Sequence, residues 1–390
     1  MVDSIRKNLT EGILPFWREM KDEKNGGFYG ERDCDLTIHK EADKGTILQC
    51  RILWAFSSAY LALKDPGDFS CANWAFSYLK EHCVDEEYGG LYWSTHFDGT
   101  PAETTKHAYC MAFGIYGLSA YYEASGDGEA LALAKSLTHT IEEKCTDSYG
   151  YLEEFDRQFQ AVDNDKLSDT FCVEGKRAEK TMNTLLHVLE AYTELYRVSH
   201  EEEVGNRLQR IYRIFFDKVW NKEKGRLEVF FDKNYGSLMD MQSFGHDIEA
   251  SWLLDRGADV LGEEQLKKEV HEMTDMLAET VYERAFRGNR LLNEVRMDEV
   301  DGTPIWWVQA EAVIGFTNAY EKHPQERKYK EAAEKIWNFI KTRFVDEHSG
   351  EWFNELHPDG TPKREMGLAS AWKCPYHDSR MCLEIMRRVK

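Results

Sequence analysis

The feature that most constrains this chain is a repeat. A glycine, a short aromatic or aliphatic alternation and then acidic or turn residues recur six times. The copies are NGGFYGERD from Asn25, YGGLYWSTHFDGTP from Tyr88, YGYLEEFD from Tyr149, GRLEVFFD from Gly225, GNRLLNEVRMDE from Gly288 and SGEWFNELHPDGTP from Ser349. Each reads as a turn leading into a short strand or hairpin. The marker glycines are Gly27, Gly90, Gly150, Gly225, Gly288 and Gly350. They lie roughly 60–75 residues apart, the mark of tandem supersecondary units.

Between markers the period becomes helical. Segments from Ile47, Lys106, Lys180, His246 and Ile305 carry apolar residues on nearly every side. Each is followed by a more polar, amphipathic stretch, such as RKYKEAAEKIWNFIKTRFV from Arg327. A helix apolar all round is buried, and one with a single apolar stripe lies outside. A first helix near residues 4–20 and a last near 375–389 bring the count to twelve, or six inner–outer pairs. The expected fold is all-α: an (α/α)6 barrel of six inner and six outer helices with short β-hairpins in the connecting loops. With no polar linker or low-complexity segment, residues 1–390 read as one barrel domain. An open solenoid is the alternative, and its end repeats would need polar caps.

Composition narrows the partners. A net charge of −21 argues against nucleic acid or an anionic membrane, which need a basic surface. It suits an uncharged or cationic small ligand. No run of eighteen apolar residues suggests a membrane span, and the start lacks an apolar leader segment. Nine scattered cysteines without CxxC pairing read as reduced core thiols of a cytoplasmic protein. Their spacing does not match that of a cysteine zinc site.

Polar and aromatic groups gather in the N-terminal halves of all six inner helices. Arg51 stands near the head of the first and Tyr109 near the head of the second. On the third, Asn183, His187 and Glu190 share one face. His246 occupies the first turn of the fourth, with Glu249 three residues on. There the helix dipole should lower the imidazole pKa and favour a neutral base. Trp306 and Trp307 open the fifth, which also carries Glu311, and Trp372 and His377 mark the sixth behind Pro375. In a closed barrel these ends meet at one mouth. Adjacent indoles point about 100° apart, so both cannot face one core; one or both are expected to serve as platforms for a sugar ring, with one packed in part between helices.

Four stretches carry a resemblance: KTMNTLLHVLEAYTELY, SFGHDIEASWLLDR, WWVQAEAV and WKCPYHDSRMCLE. With the residues from ILPFW to RMCLEIM around them, the chain resembles the N-acylglucosamine 2-epimerase superfamily, in its disaccharide branch. The resemblance implies an (α/α)6 barrel that interconverts the C2 configuration at the reducing end of β-1,4-linked disaccharides. It implies no redox cofactor and no obligatory metal. Carried over by motif, His246 and His377 are the acid/base pair, with His187 and Arg51 beside the reacting centre. Tyr109, Asn183, Glu249, Trp306, Trp307, Glu311 and Trp372 are the substrate contacts. The partner implied is a small reducing disaccharide, bound by a monomer or weak homo-oligomer.

Other readings stay open at this stage. N-acylglucosamine and mannose-type relatives share the fold. His187/Glu190 and His246/Glu249 both read H-x-x-E, a spacing that can ligate metal. Glu249 and Glu311 can be nominated as the carboxylates of a glycoside hydrolase. A non-catalytic sugar-binding protein would use the aromatic platforms alone.

Overall fold

The computed structural model describes residues 1–161, 172–173 and 176–388. Among them the inner helices are Thr46–Leu63, Ala108–Ser125, Met182–Ser199, Phe244–Leu261, Trp306–Lys322 and His377–Arg388. The outer helices span residues 66–83, 128–144, 202–219, 264–285, 327–344 and 2–19. Those at 66–83, 202–219 and 327–344 end in a π-helical turn, and the one at 2–19 has such a turn in its middle. Each inner helix packs against the next, and the sixth packs against both the fifth and the first. The ring is therefore closed, as the twelve-helix reading requires.

Closure uses the two ends of the chain. Asn8 Nδ2 donates to the Gly350 carbonyl at 3.0 Å, and Trp352 Nε1 donates to Asn8 Oδ1 at 2.7 Å. Trp17 Nε1 donates to Glu351 Oε2 at 2.6 Å. The outer helix at residues 2–19 thus completes the pair begun by the last inner helix.

The repeated glycine motif forms six tight hairpins of two- or three-residue strands and single bridges. Their anchoring follows from local chemistry. Asp22 accepts from the backbone N–H of Lys24 and Asn25, and Asp85 from Glu87 and Tyr88. Asp147 accepts from Tyr149 and Gly150. A lysine just before the next inner helix then pairs with each aspartate: Lys44 with Asp22 at 2.7 Å, Lys106 with Asp85 at 2.9 Å and Lys180 with Asp147 at 2.7 Å. A second device recurs at the fourth residue of three inner helices. Gln49 bridges the N–H and C=O of Phe28, Gln309 bridges those of Leu291, and Asp247 accepts from Leu227 N–H. Lysine and aspartate buried without partners would cost several kcal/mol each. Paired, they pin each hairpin over the head of an inner helix and so build the rim of one mouth.

Helix approach depends on small residues. A Cβ on Gly117 would sit 2.6 Å from the Cys50 carbonyl oxygen, and one on Gly315 would sit 2.7 Å from that of Ile248. The inner helix Thr46–Leu63 is long and apolar enough to cross a membrane, but most of it is buried against its neighbours in the ring. Each fully buried Leu or Ile there contributes about 1.5–3 kcal/mol. Cys34, Cys50, Cys71, Cys83, Cys110, Cys145, Cys374 and Cys382 are free thiols, and of these all but Cys34 are buried.

The sixth inner helix differs from expectation. It begins at His377, so Pro375 precedes it instead of occupying its first position. It also buries Asp378, Ser379 and Arg380, which makes it the most polar of the inner helices. The reason lies in the site it serves.

Candidate active site

The heads of the inner helices bring every residue singled out above to one mouth of the barrel or to the layer beneath it. His187 Nδ1 lies 2.9 Å from Glu190 Oε2, and His377 Nδ1 lies 2.7 Å from Glu311 Oε1. His246 Nδ1 lies 2.7 Å from Ser243 Oγ, the residue that caps its helix. Each imidazole is thus held at Nδ1 from its own helix or the next, which leaves Nε2 for a ligand. The two carboxylates accept the Nδ1 proton of a neutral ring and so select the tautomer with a basic Nε2.

Burial holds His246 and His377 neutral. His246 is lowered to about 3 by desolvation, with a smaller contribution from His187. The helix dipole expected at this position is not the leading cause. Desolvation also takes His377 well below its ordinary value, reinforced by Arg380, Arg51, His187 and His246. The three histidines are near enough that a proton on one opposes a proton on another.

Arg51 Nη2 donates to Tyr109 Oη at 2.9 Å, and its guanidinium lies 4.1 Å from the Phe113 ring centre. Arg51 Nε, Asn183 Oδ1 and Glu249 Oε2 are buried and have no hydrogen-bond partner among the described residues. Buried polar atoms are normally satisfied, so these three are suited to a ligand rich in hydroxyl groups.

The paired tryptophans differ in burial. Trp306 is 3% exposed, and Lys373 Nζ sits 4.2 Å from its ring centre. Trp307 is half-buried and lies 4.8 Å from the His246 ring and 5.4 Å from that of His377. Gly245 makes room for it: a Cβ there would come within 2.5 Å of Trp307 Cη2. Gly245→Ala should therefore push this indole away from both imidazoles. We expect kcat/KM on the substrate to fall by roughly tenfold or more while the helix keeps its stability, because alanine favours helix by about 1 kcal/mol. Steady-state kinetics with a melting curve check both halves. Trp372, 51% exposed, stands at the rim, 6.2 Å from Tyr109 and 6.0 Å from Trp93.

Beneath the mouth lies a buried ionic layer. Arg380 Nη1 donates to Glu190 Oε1 and meets Tyr376 Oη, while Nη2 donates to Glu249 Oε1 and, at 2.7 Å, to Glu311 Oε1. Tyr376 Oη donates to Glu190 Oε2 at 2.6 Å, and Trp252 Nε1 donates to Glu311 Oε2 at 2.9 Å. Burial raises both Glu249, to about 7, and Glu311, while for Glu190 Arg380 and His187 outweigh burial and hold it at about 2.

Glu249, Glu311 and His377 have potential ligand atoms within 4.8 Å of one another. The donor set does not suit a resident cation, because the Arg380 guanidinium already bonds both carboxylates. The H-x-x-E pairs do not act as ligand pairs either. Glu190 serves His187, Tyr376 and Arg380, and Glu249 serves Arg380 instead of His246. Nor do Glu249 and Glu311 flank a cleft as hydrolase carboxylates do, since both converge on one guanidinium.

A cavity of about 1040 Å³ opens at the opposite end of the barrel. Its charges are mutually paired, as in Arg256–Glu194, Lys322–Asp255 and Arg388–Glu321. None of the three imidazoles lines it, and Glu190 and Arg380 form the layer between it and the mouth that holds them.

With this geometry in hand, comparison with known proteins is decisive. Residues 26–378 match N-acylglucosamine 2-epimerase (GlcNAc 2-epimerase).

The chain belongs to the N-acylglucosamine 2-epimerase family.

It is a carbohydrate epimerase of that family. It is 46% identical over 389 residues to a cellobiose 2-epimerase of Ruminococcus albus, covering 100% of this chain and 99% of that one. The structure of the cellobiose 2-epimerase of Bacillus thermoamylovorans B4167 superposes with a TM-score of 0.95 at 41% identity, covering 100% and 99% of the two chains. A D-mannose isomerase superposes at 0.84 with 18% identity, covering 99% and 98%, and shows the shared fold alone.

Some members of the site were absent from the sequence reading. Arg380 and Tyr376 were passed over inside WKCPYHDSRMCLE, and Trp252 inside SWLLDR. Trp93, whose ring lies 4.1 Å from His107 at the rim, sat unremarked in the second glycine motif. For Arg380 and Trp252 the available signal was a charged or aromatic residue three positions from a histidine or a glutamate on the same helix.

Proposed function

We propose that this protein inverts C2 of the reducing-end sugar in β-1,4-linked disaccharides, converting cellobiose to its glucosyl-mannose epimer, with residues 1–390 acting as one catalytic domain. The observation that carries the reading is the set of three imidazoles, each tied at Nδ1, that meet at one mouth. The names of the relatives support the disaccharide substrate.

C2 of a closed pyranose is not acidic. Ring opening makes C1 an aldehyde, so the C2 proton lies α to a carbonyl and can be removed to give a planar enediolate. The member of the His246/His377 pair that is neutral takes the C2 proton at Nε2, while its partner, protonated at Nε2 for that turnover, gives its proton to the opposite face and is left neutral, so the carbon inverts and the two exchange roles. If carbon and imidazole differ by on the order of ten pK units, the transfer is uphill by ~14 kcal/mol. Imidazoles alone do not supply that, so fixed donors at the developing oxyanion must. Arg51, whose buried Nε has no other partner among the described residues, fills that role, and His187, whose Nδ1 proton goes to Glu190, joins it only when Nε2 is protonated. Trp307 and Trp372 hold sugar faces, Tyr109, Asn183 and Glu249 meet hydroxyl groups, and Trp306 and Glu311 support the ring of His377.

Proton NMR of cellobiose with the enzyme in D₂O containing a chelator tests this. Formation of the epimer with deuterium at C2 is expected. Turnover of only a monosaccharide such as N-acetylmannosamine or mannose would move the protein to another branch of the family, and glucose release would identify a hydrolase.

The same geometry fixes a pH dependence. A histidine whose pKa is lowered stays a competent base until the pH falls to that lowered value. The acid limb of kcat/KM is therefore expected well below the ordinary histidine value of about 6.5. A limb centred near that value would contradict the neutral, desolvated imidazoles.

A further inference from the structure

Arg380 is 1% exposed and lies on the sixth inner helix. Its partners come from three other helices: Glu190 from the third, Glu249 from the fourth and Glu311 from the fifth. Two of those carboxylates are the ones that hold His187 and His377 by Nδ1. Tyr376, on the last turn of chain before the helix, braces both Arg380 and Glu190. The guanidinium also lies 4.9 Å from the Trp252 ring centre, and that indole holds the other oxygen of Glu311.

We infer that Arg380 is a positioning residue for the epimerisation: one planar fork that clamps Glu190, Glu249 and Glu311 and thereby fixes His187 and His377 at the substrate. It does not touch the sugar itself; the clamped carboxylates do its work. The inference rests on the reading of the mouth as an epimerase site.

Geometry favours arginine specifically. Two terminal nitrogens reach carboxylates on different helices at once, which a lysine point charge does not reproduce. Charge is the second contribution. The groups facing His377 are Arg51 from the first inner helix, His187 and Glu190 from the third, and His246 and Glu249 from the fourth. Glu311 faces it from the fifth, and Tyr376 and Arg380 flank it in sequence. Tyr109 of the second stands behind His187. Among these, Arg380 bears a permanent positive charge next to the ring and opposes its protonation, in addition to burial.

The test uses the full-length enzyme, with wild-type C2 inversion in D₂O measured first. If wild type makes no epimer, the epimerase reading fails and not this inference alone. Given an active wild type, Arg380→Lys keeps the charge and loses the fork. Its kcat should fall roughly 100-fold, the order expected for a displacement of about 1 Å, with KM nearly unchanged and the acid limb in place. Arg380→Gln loses both, and its acid limb should move to higher pH because protonation of His377 is no longer opposed. Should Arg380→Gln fail to fold, Arg380→Lys decides by its kcat against its KM. Wild-type kcat in Arg380→Lys overturns the inference, as does a folded Arg380→Gln with the wild-type pH profile. A rise in KM with kcat retained does so too, because it marks a substrate contact.

Discussion

Replacement of His377 by asparagine is expected to slow epimerisation by roughly 10²–10⁴-fold, the usual contribution of a general acid–base group. Asparagine keeps a donor for Glu311 Oε1, which His377 Nδ1 meets at 2.7 Å, and it removes the basic Nε2. The fold should survive, since the Arg380 bonds to Glu190, Glu249 and Glu311 do not involve the imidazole. A two-base mechanism makes a sharper demand than lost activity. With one imidazole gone, the other still removes a proton from its own face. The variant should exchange the C2 proton of one epimer with D₂O without converting it to the other, while the opposite epimer stays unexchanged. His246→Asn should show the reverse preference. Equal loss of exchange from both epimers in both variants would rule out a division of labour between faces.

The largest structural effect is expected at Gly350. Its φ is +73°, and a Cβ would stand 2.4 Å from the Gly12 Cα. That contact lies where the first outer helix meets the last hairpin, beside the Asn8–Gly350 and Asn8–Trp352 hydrogen bonds that close the ring. Gly350→Ala has to bear the left-handed conformation and a clash with backbone that cannot rotate away. The combined loss should be roughly 2–5 kcal/mol. Gly126 is the matched control, because it shares φ +73° but has nothing within 4 Å of the added carbon. Gly126→Ala should lose only the conformational part, about 1–2 kcal/mol. Denaturant unfolding followed by tryptophan fluorescence compares them, and equal losses would show that the close approach of the chain ends carries no weight.

Much of the architecture is legible because its signals are local. Gly27, Gly90, Gly225, Gly288 and Gly350 all have φ between +61° and +79°, and only Gly150, at +159°, has an extended backbone. A left-handed turn asks for glycine whatever surrounds it. The inner helices declare themselves by being apolar on every side, since each is walled in by neighbours. The helix-head residues are legible as a group because six of them recur in register. The polar sixth helix is not, because its aspartate, serine and arginine look like a surface face until their partners are known. Arg380 and Glu190 are 190 positions apart, so no window of sequence brings them together. His246 shows a subtler gap. Its lowered pKa follows from its sequence position in direction only, and the leading cause is burial.

The repeat, the alternation of buried and amphipathic helices, the closed barrel they imply and the imidazoles and indoles at the helix heads can all be read from residue order alone. Period, turn chemistry and register are properties of neighbouring residues. It took the packed ring to place Trp307 against both His246 and His377 while Trp306 packs in the core against His377 alone, to tie off Nδ1 of each of these histidines and to gather three glutamates on one arginine beneath them. Those outcomes depend on which helices the ring makes adjacent. Inside a low-dielectric core, the identity of the nearest charge sets both the geometry and the protonation of a buried group.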